Sequence, residues 1–195
     1  MAHKGWHSRG YLPQFDSAET IQFVTFRLAD SLPRAVAQVL AELQDNLAET
    51  DRKLDSGLGA CWLGEPAIAQ LTEEALLHFD SQRYRLLAWC IMPNHVHTVV
   101  NPIEGNRIGA ILHTWKSFSA KQANQKLGRV GPFWHKDYFD RFIRDEGHLV
   151  RTIEYVENNP VKAGLVTTTA AWRWSSARFR RPTLADLELP VPYGS

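Results

Sequence analysis

The 195-residue chain reads as an α+β domain, an antiparallel sheet with helices packed on one side. Three observations predict this. Strand-like and helix-like runs follow in the order strand, helix, strand, strand, helix, strand, helix. The run Tyr84–Met92 is almost wholly apolar, as a central strand is. It is followed after a Pro-Asn turn by His95–Val100, close enough to form an antiparallel hairpin.

Each element has a local cause. Residues 1–20 carry Lys4, Trp6, Arg9 and Tyr11 in no regular pattern and read as an irregular arm laid over the domain. Ile21–Ala29 is β-branched and aromatic, the first strand. Pro33 follows Ser31 at a helix start, and Val36, Val39, Leu40, Leu43 and Leu47 recur at helical spacing to about Lys53. Gly57 and Gly59 end that helix, and Pro66 opens a second to about Asp80. These two acidic helices read as scaffold. A helix over Arg107–Leu127 turns Ile108, Ile111, Leu112, Trp115 and Phe118 inward, and Phe133–Ile143 reads as a bent fourth strand. The last helix opens at Asp145-Glu146-Gly147, and Pro160 is expected to stop it, because proline pushes its predecessor out of the helical region. One domain over residues 1–181 and a Pro-rich tail over 182–195 are expected, with no internal repeat.

Composition excludes several classes. Hydrophobic content of 44% and charged content of 22% are those of a globular protein with a core. No apolar run is long enough for a bilayer span, so no membrane partner is expected and the cytoplasm is the default location. Cys61 and Cys90 lack metal-site spacing, and Cys90 reads as a buried thiol. Net charge is only +1, yet it is unevenly spread. Nine acids against two bases lie between Ala37 and Asp80, whereas six bases and no acid lie between Gly105 and Lys136. Four arginines follow between Trp172 and Pro182. That polarity suits a polyanion on one face, and equally suits solvated helices. Lys116, Lys121, Arg129, Lys136, Arg173 and Arg178 are the candidate contacts to the phosphates of such a polyanion.

The chemistry gathers on two stretches. His95 and His97, two apart on a strand, project from one face and make half of a divalent-metal site, or else a hydrogen-bonded strand edge. On the last helix Tyr155 and Asn159 stand four apart, one above the other. A phenol beside a metal-polarised phosphodiester suits phosphoryl transfer through a covalent phosphotyrosine, with the Asn159 amide oxygen completing the metal site. A partly buried tyrosine and a helix-capping asparagine are the plainer alternatives. Tyr138 is a rival nucleophile, but packing suits its aromatic run better, and Asn94 reads as a turn residue serving backbone groups.

Met92-Pro-Asn-His-Val-His97, Phe133-Trp-His-Lys-Asp-Tyr-Phe-Asp-Arg-Phe-Ile-Arg144 and Tyr155-Val-Glu-Asn-Asn-Pro-Val-Lys-Ala-Gly-Leu-Val166 together resemble the REP-associated tyrosine transposases. These are a domesticated branch of the IS200-like Y1 transposases, within the His-hydrophobic-His (HUH) nuclease superfamily. The resemblance covers roughly Gly10 to Arg178. It implies a ferredoxin-like sheet of the HUH-nuclease type, here with an inserted acidic helical segment. It implies Mg²⁺, or Mn²⁺ in vitro, held by His95 and His97 with Asn159, where insertion-sequence relatives have glutamine. Tyr155 resembles the nucleophile. The implied reaction is cleavage of single-stranded DNA at palindromic hairpins through a 5′-phosphotyrosine, with rejoining that needs no ATP. Trp172–Ala177 resembles the family's C-terminal stretch, which covers the site or touches DNA. The long acidic insertion favours a monomer, and the DNA substrate implies association with the nucleoid. The alternative is an idle hairpin-binding module derived from a transposase. Histidine-triad and two-histidine phosphodiesterases fit poorly, since the triad's third histidine is Val99 here.

Overall fold

The runs read as strands form, in the computed structural model of the chain, one antiparallel sheet. The structure describes residues 5–8, 13–16, 20–32 and 53–179, with side chains for 20–32 and 53–179. The helix expected from Pro33 and the Pro-rich tail over 182–195 lie outside the described residues, apart from a helical turn at 53–55.

Residues 5–16 contain a paired ribbon where an irregular arm was expected. Its strands are β1 (Gly5–Ser8) and β2 (Pro13–Asp16), antiparallel to each other. The main sheet comprises β3 (Gln22–Arg27), β4 (Tyr84–Ile91), β5 (His95–Pro102) and β6 (Phe139–Phe142), in the order β4-β5-β3-β6. With α1 (Pro66–Leu77) between β3 and β4, and α2 (Ile108–Lys126) between β5 and β6, this is the ferredoxin-like order. A last helix, α3, spans Glu146–Lys162. The fourth strand is shorter than its aromatic run, because only Phe139–Phe142 enters the ladder, and Trp134 adds a single bridge to Leu28.

Strand alternation sorts the core into two layers. Val24, Phe26, Trp89, Ile91, Val96 and Val100 face the cluster built by Ile68 and Leu76 of α1 and Ile111, Leu112 and Trp115 of α2. Phe23, Ala88, Cys90, Met92 and Val99 face Leu149 and Val156 of α3. The α+β class holds, but its layering differs from the one-sided arrangement expected: α1 and α2 cover one face and α3 covers the other. The cause is visible in β5, buried at every position, which needs apolar cover on both sides.

The edge of β4 is also covered. Ile91 N–H donates to the Trp174 carbonyl at 2.8 Å, and Trp172 Nε1 donates to the Ile91 carbonyl at 3.0 Å. Ser176 Oγ accepts from Trp89 N–H and donates to Glu157 of α3 at 2.8 Å. The Trp172–Ala177 stretch therefore seals an edge strand that would otherwise present unpaired backbone groups. Among the described residues no helix is long and apolar enough to cross a membrane.

Pro160 does not stop α3, which runs on to Lys162. The helix ends two residues later because Gly164 adopts φ 70°, letting its N–H reach the Val161 carbonyl and the Leu165 N–H reach the Pro160 carbonyl. That is a Schellman closure, and it needs a left-handed residue. A Cβ at Gly164 would meet nothing within 4 Å, so backbone conformation is the only penalty. Gly164→Ala is expected to destabilise the protein by about 1 kcal/mol in urea unfolding.

Candidate metal and nucleophile site

Register places the histidines. Pairing of β3 with β5 sets Thr25 directly opposite His97, and both project to the α3 face with Phe23. His95 and His97 are fully buried and their Nε2 atoms lie 3.0 Å apart. Phe23 stacks on the His97 ring at 5.7 Å between centroids.

The groups behind the rings decide what the Nε2 atoms can do. Asn94 donates its side-chain N–H groups to the carbonyls of Leu54 and Leu58, at 2.9 and 3.1 Å. Its amide oxygen is thereby left to face His95 Nδ1, at 2.7 Å. A carbonyl oxygen only accepts, so the His95 proton sits on Nδ1 and the neutral ring keeps a lone pair on Nε2. His97 Nδ1 lies 2.7 Å from Thr25 Oγ1, a hydroxyl that can donate or accept. When the threonine accepts, both Nε2 lone pairs point at the same spot, an arrangement only a cation satisfies. When it donates, His97 Nε2–H can bond His95 Nε2. The rings are held neutral in either case: burial lowers the His95 pKa to about 3 and lowers His97 well below its ordinary value.

These atoms fit a hard or borderline divalent ion. Donors bound at about 2.1 Å in adjacent octahedral positions stand ~3.0 Å apart, which is the observed Nε2 separation. Among the described residues no three His, Cys, Asp or Glu side chains form a metal cluster, so at least one more donor has to join the pair. Asn159 is buried on α3, where its amide nitrogen donates to the Tyr155 carbonyl at 2.8 Å, which leaves the amide oxygen as the atom that could ligate. Asp55 Oδ1 lies 3.9 Å from His95 Nε2. Burial raises the Asp55 pKa to about 6, against the opposing pull of Lys162.

Tyr155, half-buried on α3, sets its ring edge-on to His97 with centroids 6.0 Å apart. It also packs edge-on against Phe23, and Lys162 Nζ lies 4.4 Å over its ring. Tyr138 belongs to the cluster on the opposite face of the sheet. His135 is half-buried and accepts from the Asp137 N–H through Nδ1.

The six basic candidates divide. Lys121, Lys136 and Arg173 are exposed. Lys116 donates to the carbonyls of His135 and Lys136 at 2.7 and 2.9 Å, tying α2 to the approach to β6. Arg178 pairs with Glu73 of α1 at 2.8 Å, and Arg129 lies over the rings of Trp62 and Phe133. Sequence reasoning gave Asn94 a backbone role and overlooked its grip on His95. It overlooked Thr25 altogether, because only strand register brings that hydroxyl to His97.

Residues 67–159, from α1 through His95, His97 and Tyr155 to Asn159, match the family described as "Transposase IS200 like". A Haemophilus influenzae protein, provisionally named a REP-associated tyrosine transposase, is 26% identical over 114 residues, covering 53% of this chain and 64% of that protein. The REP-associated tyrosine transposase of Escherichia coli K12 is 24% identical over 108 residues, covering 55% of this chain and 63% of that one. The match thus spans a little under two-thirds of these relatives' length. In fold the chain is similar to a REP-associated tyrosine transposase solved with a REP hairpin, with a TM-score of 0.54 and 17% identity, covering 93% of this chain and 89% of that one.

Acid should loosen the metal-free site. The histidines' folded pKa values lie below the unfolded 6.5, so their contribution to stability is present above that pH and is lost as pH falls. Asp55 acts oppositely, since its raised value favours folding below about 6. Two buried rings outweigh one partly exposed carboxylate. Urea unfolding without metal is expected to show roughly 1–2 kcal/mol less stability at about pH 5 than at about pH 7.5, a loss that shrinks in His97→Gln.

Proposed function

We propose that this chain, similar over residues 67–159 to the IS200-like transposases and in fold to a REP-associated tyrosine transposase, is a metal-dependent single-stranded DNA endonuclease and strand transferase acting at palindromic hairpins. The observation that carries the reading is the meeting of Tyr155 and His97, whose rings touch edge to face beside the paired Nε2 atoms. A tyrosine whose ring packs against one of the paired imidazoles suits a nucleophile working on a cation-bound phosphate.

In this reading His95, His97 and Asn159 hold Mg²⁺ or Mn²⁺, with Asn94 and Thr25 fixing the rings. The cation, when bound, withdraws charge from the scissile phosphate. The Tyr155 oxygen attacks phosphorus as the bond to the 3′ oxygen breaks. The phenol loses its proton and the departing 3′ oxygen gains one. Tyr155 then carries the 5′ phosphate, and the number of phosphodiester bonds is unchanged, so a 3′ hydroxyl reverses the step without ATP. Lys162, exposed above the Tyr155 ring, offers positive charge to the phosphate. Lys121, Lys136 and Arg173 supply contacts to the flanking backbone. Lys116, Arg129 and Arg178 are candidates as well, with cationic groups that already meet carbonyls, rings and Glu73, as Arg173 meets the Trp174 ring.

A labelled palindromic hairpin oligonucleotide incubated with protein and Mn²⁺ is expected to yield a denaturation-resistant adduct. Tyr155→Phe and chelation should abolish it, whereas Tyr138→Phe should leave it intact. An adduct surviving in Tyr155→Phe would refute the assignment, and a wild-type protein that binds hairpin but never forms adduct would make it an idle binding module. Neutralising Lys121, Lys136 and Arg173 together should flatten the salt dependence of hairpin binding by about two counterions.

A further inference from the structure

We infer that Asp55, from the acidic segment inserted between the first two strands of the main sheet, is itself a ligand of the cation held by His95 and His97. The inference rests on the metal reading above and extends it to a residue outside the stretch, 67–159, that matches the family.

Three observations carry it. Asp55 Oδ1 is buried and has no hydrogen-bond partner among the described residues. A carboxylate oxygen held that way costs free energy unless something positive comes to it. His95 Nε2, the lone-pair nitrogen whose tautomer Asn94 sets, lies 3.9 Å from that atom. Asn94 holds the ring proton on Nδ1, so the neutral His95 ring turns a lone pair, not a hydrogen-bond donor, toward the carboxylate. With bonds of about 2.1 Å, two donors on one ion lie between ~3.0 Å apart when adjacent and ~4.2 Å when opposite. The 3.9 Å separation from His95 falls inside that range; Asp55, His95 and His97 do not form a closed three-ligand cluster in the metal-free chain, so the carboxylate completes the site only as the ion binds.

The third observation is how Asp55 is held. Asn94 Nδ2 donates to the carbonyls of Leu54 and Leu58 on either side of it. One amide thus sets the His95 ring with its oxygen and fixes the Asp55 backbone with its nitrogen. Leu54, Asp55, Asn94 and His95 line one cavity with Ala163 and Leu165 from the end of α3. Lys162 also acts on Asp55 electrostatically, yet it lies over the Tyr155 ring and forms no ion pair with it among the described residues. The chain accordingly offers a charged oxygen beside neutral nitrogens, the donor mixture that suits Mg²⁺ or Mn²⁺.

The test is Mn²⁺ titration of the full-length, DNA-free protein by calorimetry, comparing wild type with Asp55→Asn and with His95→Ala, each also melted without metal. Asp55→Asn is expected to weaken Mn²⁺ binding at least tenfold while melting without metal at the wild-type temperature or higher, since it removes an unanswered buried charge. Unchanged Mn²⁺ affinity overturns the inference and leaves the histidine site standing. A lower metal-free melting temperature with unchanged affinity also overturns it, by making Asp55 structural. If wild type binds Mn²⁺ no better than His95→Ala, the metal reading itself fails. Should Asp55→Asn not fold, the wild type still decides. Substoichiometric Mn²⁺ should broaden the ¹³C carboxyl signal of Asp55 beyond detection while that of Asp145, on the solvent end of α3, persists. An unbroadened Asp55 signal overturns the inference.

Discussion

Two imidazole nitrogens facing each other at 3.0 Å in a buried site are the constraint on which this structure turns. Such a pair is costly in a protein interior unless a proton or a cation lies between its members. Everything around it acts on that choice. Asn94 fixes the proton of one ring from behind, Thr25 leaves the other free to turn over, and burial keeps both rings uncharged. The sheet supplies the rigidity. His97 sits on the strand buried on both faces, between Thr25 on one neighbour and Cys90 on the other.

Tyr155 depends on the same sheet through packing. The α3 helix has a single apolar face, and Leu149 and Val156 press it on Phe23, Ala88 and Val99. Tyr155 precedes Val156 and so lies at the border of that face, half in the core and half out. A phenol at this border can touch His97 and still meet a substrate arriving from solvent. The Schellman closure at Gly164 and the Ser176–Glu157 hydrogen bond hold the helix at its end and along its length.

What was legible in the sequence was local. Alternation in His95–Val100 and the apolar run of Tyr84–Met92 located β4 and β5 nearly to the residue, because both signals arise from neighbours on one strand. Asp145 marked the start of α3 through a capping bond to the His148 N–H. Pro160 misled because its local penalty was read without the glycine four residues later that closes the helix. The two-sided layering was hidden because an amphipathic stripe says that a helix packs, not on which face of a sheet. Thr25, 72 residues from His97, becomes visible only once register is known.

The acidic segment shows why charge counts mislead. A run of nine acids beside a chain with separate basic stretches looks like a solvated face that would repel DNA. Among the described residues, two of those acids have structural work at the margins of the site. Glu73 accepts from Trp89 and pairs with Arg178, clamping the segment that seals β4. Asp55 turns an oxygen toward His95. Neutral ligands alone would leave a bound divalent ion with its full charge in a buried site. One carboxylate halves that charge while leaving the site positive toward a phosphate carrying one negative charge. An acid beside a cation site is therefore compatible with a polyanionic substrate so long as it faces the cation, and the Asn94 amide ties the backbone flanking Asp55 to the His95 ring.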